Sequence, residues 1–247
     1  MPNTSGVDPK ISDLVDRYGL PEAAGERLQV LLRLLTEDPT APTAVHEPAR
    51  AVDDHLADSL VALELDQVRS ASTIADLGAG AGLPGLPLAI ALPASNVSLV
   101  ESSARKCDFL GRAVSECGLQ NADVVNARAE SWPEGLGRFD LVTARALAPL
   151  AVVVEYAAPL LRVGGTLVAW RGRRESEAEA AAARAAAEIG LEPAGIRAVR
   201  PYPEAQHRHL HLMSKVMETP AGYPRRPGMA SKRPLGARRR PSDRSRR

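Results

Sequence analysis

Residues 74–85, IADLGAGAGLPG, combine an acid with four glycines: Asp76, Gly78, Gly80, Gly82 and Gly85. That many glycines cost backbone entropy, and they let a main chain approach a ligand or a neighbouring segment more closely than any side chain allows. Gly80, Gly82 and Gly85 form a GxGxxG, the pattern that cradles a dinucleotide pyrophosphate. Two neighbours argue against that ligand. Asp76 makes the pattern D-x-G-x-G-x-G, and a carboxylate there repels phosphate while suiting a ligand with a cationic end. Pro84 is tolerated at a helix start but shortens the turn that would hold phosphate. S-adenosyl-L-methionine fits better, because it carries an ammonium, a sulfonium and a ribose but no phosphate.

Downstream residues extend this reading. Glu101 ends the apolar run LVE, where an acid can accept both ribose hydroxyls. A charged hydrogen bond of that kind is worth about 1.5–3 kcal/mol. Ala129 and Glu130 follow the run ADVVNA, at a place where an adenine edge could be read. The stretch LLRVGGTLVAW resembles the L-x-P-G-G-x-L approach to the fifth strand of methyltransferases. No Cys/His spacing points to a metal, and no residue is singled out as a catalytic acid or base.

These residues need elements to position them. Residues 1–70 read as helices: Asp8 and Pro9 suit an N-cap and first helical position, Leu28, Leu31, Leu32 and Leu35 share one face, and so do Val52, Leu56, Leu60 and Leu63. His55, Asp58 and Ser59 fall on a neighbouring face of that last helix. From residue 71 the runs STIAD, NVSLVE, ADVVNA, FDLVTA and GGTLVAW read as strands alternating with helices. AGIRAVRPY and RHLHLMSKV add two later strands. The expected architecture is α/β: a Rossmann-like, seven-stranded, mostly parallel sheet with a late antiparallel pair, preceded by N-terminal helices. Residues 71–218 form the cofactor-binding domain, and the glycine stretch lies at the first strand-to-helix turn.

Composition sets limits. The chain has 247 residues, and 45% of them are hydrophobic, enough for a sizeable core. No apolar run reaches membrane-spanning length, and the first residues lack the features of a signal peptide. A cytoplasmic protein with Cys107 and Cys117 reduced is expected. The net charge of +1 conceals an asymmetry. From Thr219 onward there are ten Lys or Arg and one acid, which leaves 21 bases and 29 acids in residues 1–218. Residues 219–247, rich in Pro, Gly and Arg, read as a disordered basic arm that attracts a polyanion. As a separate arm, it should have no influence on cofactor affinity.

Four blocks resemble a known family in order: DLGAGAGLPGLPLAI, LVESSARKCDFL, NARAESWP and FDLVTARALAPL. They are similar to the glucose-inhibited division protein B family, and the resemblance covers residues 52 to about 216. It implies a class I methyltransferase that uses S-adenosylmethionine to methylate N7 of a guanine in small-subunit (16S) rRNA, free or in the assembled subunit. It implies cofactor contacts at Gly78, Leu83, Ala129, Glu130 and Arg145, to which the residue arguments add Asp76 and Glu101. His55 matches the family's helix before the first strand, and Arg208 and His209 match a basic pair near its C-terminal strands. Arg171-Gly172 stands where the family usually has Lys-Gly, and the family's Trp and Asn-Leu-Thr before His55 are absent. His55, Arg171, Arg208 and His209 are therefore the candidate rRNA-contacting residues. The alternatives are a methyltransferase of the same fold acting on another RNA or a small molecule, a non-enzymatic nucleic-acid binder that uses the arm, and a nicotinamide enzyme.

Overall fold

A computed structural model describes residues 8–237. Helix α1 (Pro9–Tyr18) starts where Asp8 accepts the Lys10 N–H at 2.8 Å and stops at Gly19 in the left-handed conformation. Helix α2 (Ala24–Glu37) buries Leu28, Leu31, Leu32 and Leu35. The segment that reads as one helix before the first strand is instead α3 (Pro48–Ala51), a π turn (Val52–Ala57), α4 (Asp58–Leu60) and a 3-10 turn (Val61–Glu64). A hydrophobic repeat near 3.6 tolerates one wide and one tight turn, so its sequence signature does not show them. Helix α5 (Asp66–Arg69) leads into the sheet.

The alternation then follows: β1 (Thr73–Leu77), α6 (Gly85–Ala91), β2 (Asn96–Glu101), α7 (Ala104–Glu116), β3 (Ala122–Asn126), β4 (Phe139–Arg145), α8 (Leu150–Ala157), β5 (Leu161–Arg171), α9 (Ser176–Glu188), β6 (Leu191–Val199) and β7 (Arg208–Lys215). The sheet order is β3-β2-β1-β4-β5-β7-β6. Strands β1 to β5 are parallel, and β7 runs antiparallel between β5 and β6. Alternate residues of each central strand feed opposite faces: Ile74, Leu99, Leu141 and Val168 pack with α1, α2, α6 and α7, while Ala75, Val100, Val142 and Leu167 pack with α8 and α9. Strand order reverses between β1 and β4, so the crevice where such sheets take ligands lies at the carboxyl ends of those two strands.

The chain beyond β7 differs from the composition-based expectation. Residues 219–237 fold back over α8 and α9 and include a short helix, α10 (Met229–Lys232). Arg225 makes a two-pronged pair with Glu155 of α8, Nε to Oε1 at 2.6 Å and Nη2 to Oε2 at 2.5 Å. Tyr223 and Leu235 pack on the α8–α9 core. One bidentate anchor and two apolar contacts give this polar segment a place, and its composition does not reveal them. The remainder of the expected arm, 238–247, lies outside the described residues. Among the described residues no helix is long and apolar enough to cross a membrane, and no cluster of His, Cys, Asp and Glu could hold a metal.

Candidate active site

The glycine loop leaves β1 by turning across the end of β2. Gly78 and Ala79 both donate to the Val100 carbonyl, at 2.9 and 3.1 Å. Gly78 has φ +66, and a Cβ there would meet Leu147 Cδ1 at 2.5 Å, so only glycine lets this backbone line the cavity wall. Gly80 N–H reaches Glu101 Oε2 at 3.2 Å, and Gly82 and Leu83 N–H both close onto the Ala79 carbonyl. Gly85 N–H is taken by Asp76 Oδ2 at 2.9 Å. The donors that a GxGxxG loop would offer to pyrophosphate are thus already spent inside the protein, and an acid stands beside them. This loop does not cradle a phosphate.

Asp76 has a different role from the one expected. It is wholly buried, lies under the loop rather than in the cavity, and accepts from Gly85 N–H and from Thr143 Oγ1 at 2.8 Å. A Cβ on Gly85 would sit 2.8 Å from Asp76 Oδ2 and 2.3 Å from Leu99 Cδ2, which is why glycine closes the loop at that position. Burial pushes the Asp76 carboxyl up to about 6, against the opposing hydrogen bonds. Asp76 is therefore a post that fixes the loop to β1 and β4, and it does not face a cationic ligand. Leu83 is likewise buried within the turn and does not line the cavity.

The cavity itself, of about 310 Å³, opens where the sheet reverses. Gly78, Glu101, Ala129 and Glu130 line it, joined by Leu147, Tyr156 and Lys106, which carried no sequence signal. Glu101 is 6% exposed, and the Gly80 and Ser103 N–H groups hold its two oxygens in place, the latter at 2.9 Å. A fixed carboxylate at the end of β2, beside bare backbone at Gly78, fits a ribose diol and an adenosyl body. The donor set suits S-adenosylmethionine better than any phosphate-bearing ligand.

Arg145, expected among the cofactor contacts, lines a second cavity of about 320 Å³. The two cavities share Ala146, which has φ +53, a conformation that alanine rarely adopts. Arg171, Arg173, Arg208 and His209 line the second cavity with Arg145, and these four arginines outnumber the two carboxylates there, Asp58 and Glu175, so the cavity is net cationic. Arg145 Nη1 donates to Asp58 Oδ2 at 2.8 Å and to the Asp54 carbonyl at 3.1 Å. Arg208 Nε faces Asp58 Oδ1 at 3.3 Å, a charge contact without hydrogen-bond alignment. Tyr202 bridges Asp54 and Arg208 from the far side. Asp58, nearly buried in the cavity floor, thus holds two arginines at once. Trp170 Nε1 fastens the Asp58 carbonyl at 2.7 Å. Asp58 stood out in the sequence only as a face-mate of His55, because its arginine partners are 87 and 150 residues away.

His55 is not a surface contact. It is buried, its Nε2 meets Thr43 Oγ1 at 2.7 Å, and it lines neither cavity. Burial, aided by the Arg145 charge, keeps its pKa below the ordinary histidine value, so it is a neutral packing group within the π turn. Arg171 Nη1 is tied to the Ala148 carbonyl at 3.0 Å, and His209 Nδ1 to the Gly172 carbonyl at 2.8 Å.

Known proteins resemble this chain in sequence and in fold. Residues 28–209 match the GidB family model, described as rRNA small subunit methyltransferase G. The ribosomal RNA small subunit methyltransferase G of Rubrobacter xylanophilus is 42% identical over 228 residues, 90% of this chain and 83% of that protein. Its counterpart in Desulfitobacterium hafniense is 40% identical over 196 residues, 78% and 81% of the two chains. Among solved structures, Atu636 of Agrobacterium tumefaciens, described as a predicted O-methyltransferase, superposes with a TM-score of 0.50 at 28% identity, covering 68% of this chain and 84% of that one.

Proposed function

Because the chain belongs to the GidB family of rRNA small subunit methyltransferases, we propose that it methylates N7 of a guanine in 16S rRNA with S-adenosylmethionine as donor. The observation that carries the reading is the pair of cavities meeting at Ala146, one built around Glu101 and bare glycine backbone, the other around four arginines. The first suits a phosphate-free nucleoside cofactor, and the second suits an RNA strand. When bound, S-adenosylmethionine supplies an electrophilic methyl group on a sulfonium.

The chain's own work is alignment. Guanine N7 has an in-plane lone pair and no proton at neutral pH, so no general base is needed to create the nucleophile. Glu101 accepts the ribose hydroxyls, Gly78 and Leu147 form the wall against the adenosyl body, and Ala129 with Glu130 face the adenine end. Arg145, held by Asp58 at the junction of the cavities, orients the base or its phosphate, and Arg171, Arg173 and Arg208 neutralise flanking phosphates. N7 lies in the deep major groove of A-form RNA, so the guanine must be presented from a loop or an unstacked position. Such a substrate sets the cytoplasm as the place of action. Residues 71–218 would carry the cofactor, with the N-terminal helices packed on them.

The test is transfer of labelled methyl from S-adenosylmethionine to small ribosomal subunits, and separately to naked 16S rRNA, from a strain lacking this activity. One N7-methylguanine mapped in 16S rRNA is expected. Label found only in small metabolites, or in another RNA, would replace the rRNA assignment with the alternative substrates of this fold.

A further inference from the structure

The segment after β7 does more than cover α8 and α9. Gly228 N–H donates to Glu130 Oε1 at 2.9 Å, and Ser231 Oγ lies 3.3 Å from the Tyr156 hydroxyl. Glu130 and Tyr156 both line the cavity assigned to the cofactor. The strap is pinned on either side of these contacts. Arg225 holds Glu155 upstream, and its Nη2 also donates to the Arg233 carbonyl at 2.9 Å, which closes residues 225–233 into a loop. Downstream, Arg184 Nε donates to the Gly236 carbonyl at 2.8 Å. A Cβ on Gly236 would collide with the Ala181 carbonyl, so the strap lies directly on the backbone of α9.

We propose that residues 221–236 are a brace behind the cofactor pocket, in which Gly228 and Ser231 are positioning residues that fix the lining residues Glu130 and Tyr156 for cofactor binding. The proposal rests on the reading of that cavity as the S-adenosylmethionine site. With one Glu130 oxygen committed to Gly228, the other carries no hydrogen bond among the described residues and is left to accept from an amine such as adenine N6. Without the strap, Glu130 would rotate freely at the edge of a 3-10 turn (Ala129–Ser131), and Tyr156 would lose its neighbour at the rim. This reverses the expectation that residues 219–247 have no influence on cofactor affinity.

Linkage makes the proposal measurable from both sides. If the strap favours the cofactor-binding arrangement, the cofactor must protect the strap by the same factor. Hydrogen exchange on the full chain with and without S-adenosylmethionine should slow residues 225–233 about fivefold or more, together with 78–85 and 127–130, and leave the edge strand β6 unchanged. The double variant Glu155→Gln with Arg225→Gln loosens the strap without burying an unpaired charge. It should raise the S-adenosylmethionine Kd and KM about fivefold and leave kcat at saturating cofactor near the parent value, with an unchanged urea midpoint for the body. Protection at 78–85 and 127–130 with none at 225–233, and an unmoved Kd in the double variant, would overturn the strap proposal and leave the cofactor reading intact. No protection at 78–85 and 127–130 would overturn both.

Discussion

Asp76 shows how one carboxylate can be read two ways. An acid closing β1 before a glycine loop has the same sequence signature whether it faces a ligand or supports the loop, and here it supports the loop through Gly85 and Thr143. The consequence is a pH dependence of stability. The folded protein holds the Asp76 proton up to about pH 6, whereas the unfolded chain releases it near 3.8. Stability from this group is therefore fully present below the lower value and lost as pH rises through the upper one, a swing of about 3 kcal/mol. Asp76→Asn keeps an acceptor for Gly85 N–H and offers its amide to the Thr143 oxygen. Urea unfolding between pH 4 and 7 should show a negative slope in the parent and a flatter one in the variant, and parallel curves would remove the assigned burial effect. Asp58 is the second decisive residue. Asp58→Asn should keep S-adenosylmethionine affinity within about twofold yet raise the KM for RNA by about tenfold, since Arg145 and Arg208 lose their shared anchor. An effect confined to cofactor affinity would place Arg145 back in the first cavity.

At the scale of elements, the central parallel strands β1, β2, β4 and β5 were legible because burial on both faces demands short, nearly uniform apolar runs, and the more exposed edge strands β3 and β6 also fall on strand-like runs of the sequence. The first strand-to-helix turn was legible from its glycines. What the pattern could not show was the π turn at Val52–Ala57, whose main-chain carbonyl at Asp54 receives Arg145. Hydrophobic spacing reports which face is buried, not how the backbone hydrogen bonds are closed, so a helix was the only available reading. The loop between β1 and α6 tests how tightly these elements are fitted. Gly85→Ala places a methyl against Asp76 and Leu99, and overpacking of that kind costs about 1–3 kcal/mol. Differential scanning calorimetry should report the loss, and calorimetric titration should show weaker S-adenosylmethionine binding because the displaced loop includes Gly78 and Gly80. A variant with parent stability and affinity would mean that the contact relaxes without moving the loop.

At the scale of the whole molecule, charge is distributed against the substrate. Residues 1–218 carry more acids than bases, and rRNA is a polyanion, so the body repels what its cationic cavity must bind. The C-terminal sequence offsets this in two parts that composition alone merges. The first part, through residue 237, spends Arg225 on Glu155 and lies on the fold. Order there comes from partners 52 to 98 residues away, and no local pattern encodes it. The second part, 238–247, has six Arg and one Asp. Removing 238–247 should leave S-adenosylmethionine affinity unchanged and weaken binding of a 16S rRNA fragment, most strongly at low salt. Each phosphate contact contributes about −0.7 to −0.9 to the slope of log K against log salt, so loss of even three contacts would flatten that slope by about two. Filter binding across a salt series measures this directly. An unchanged slope would mean that the terminal arginines do not touch RNA, and that the arginine-lined cavity alone overcomes the charge of the body.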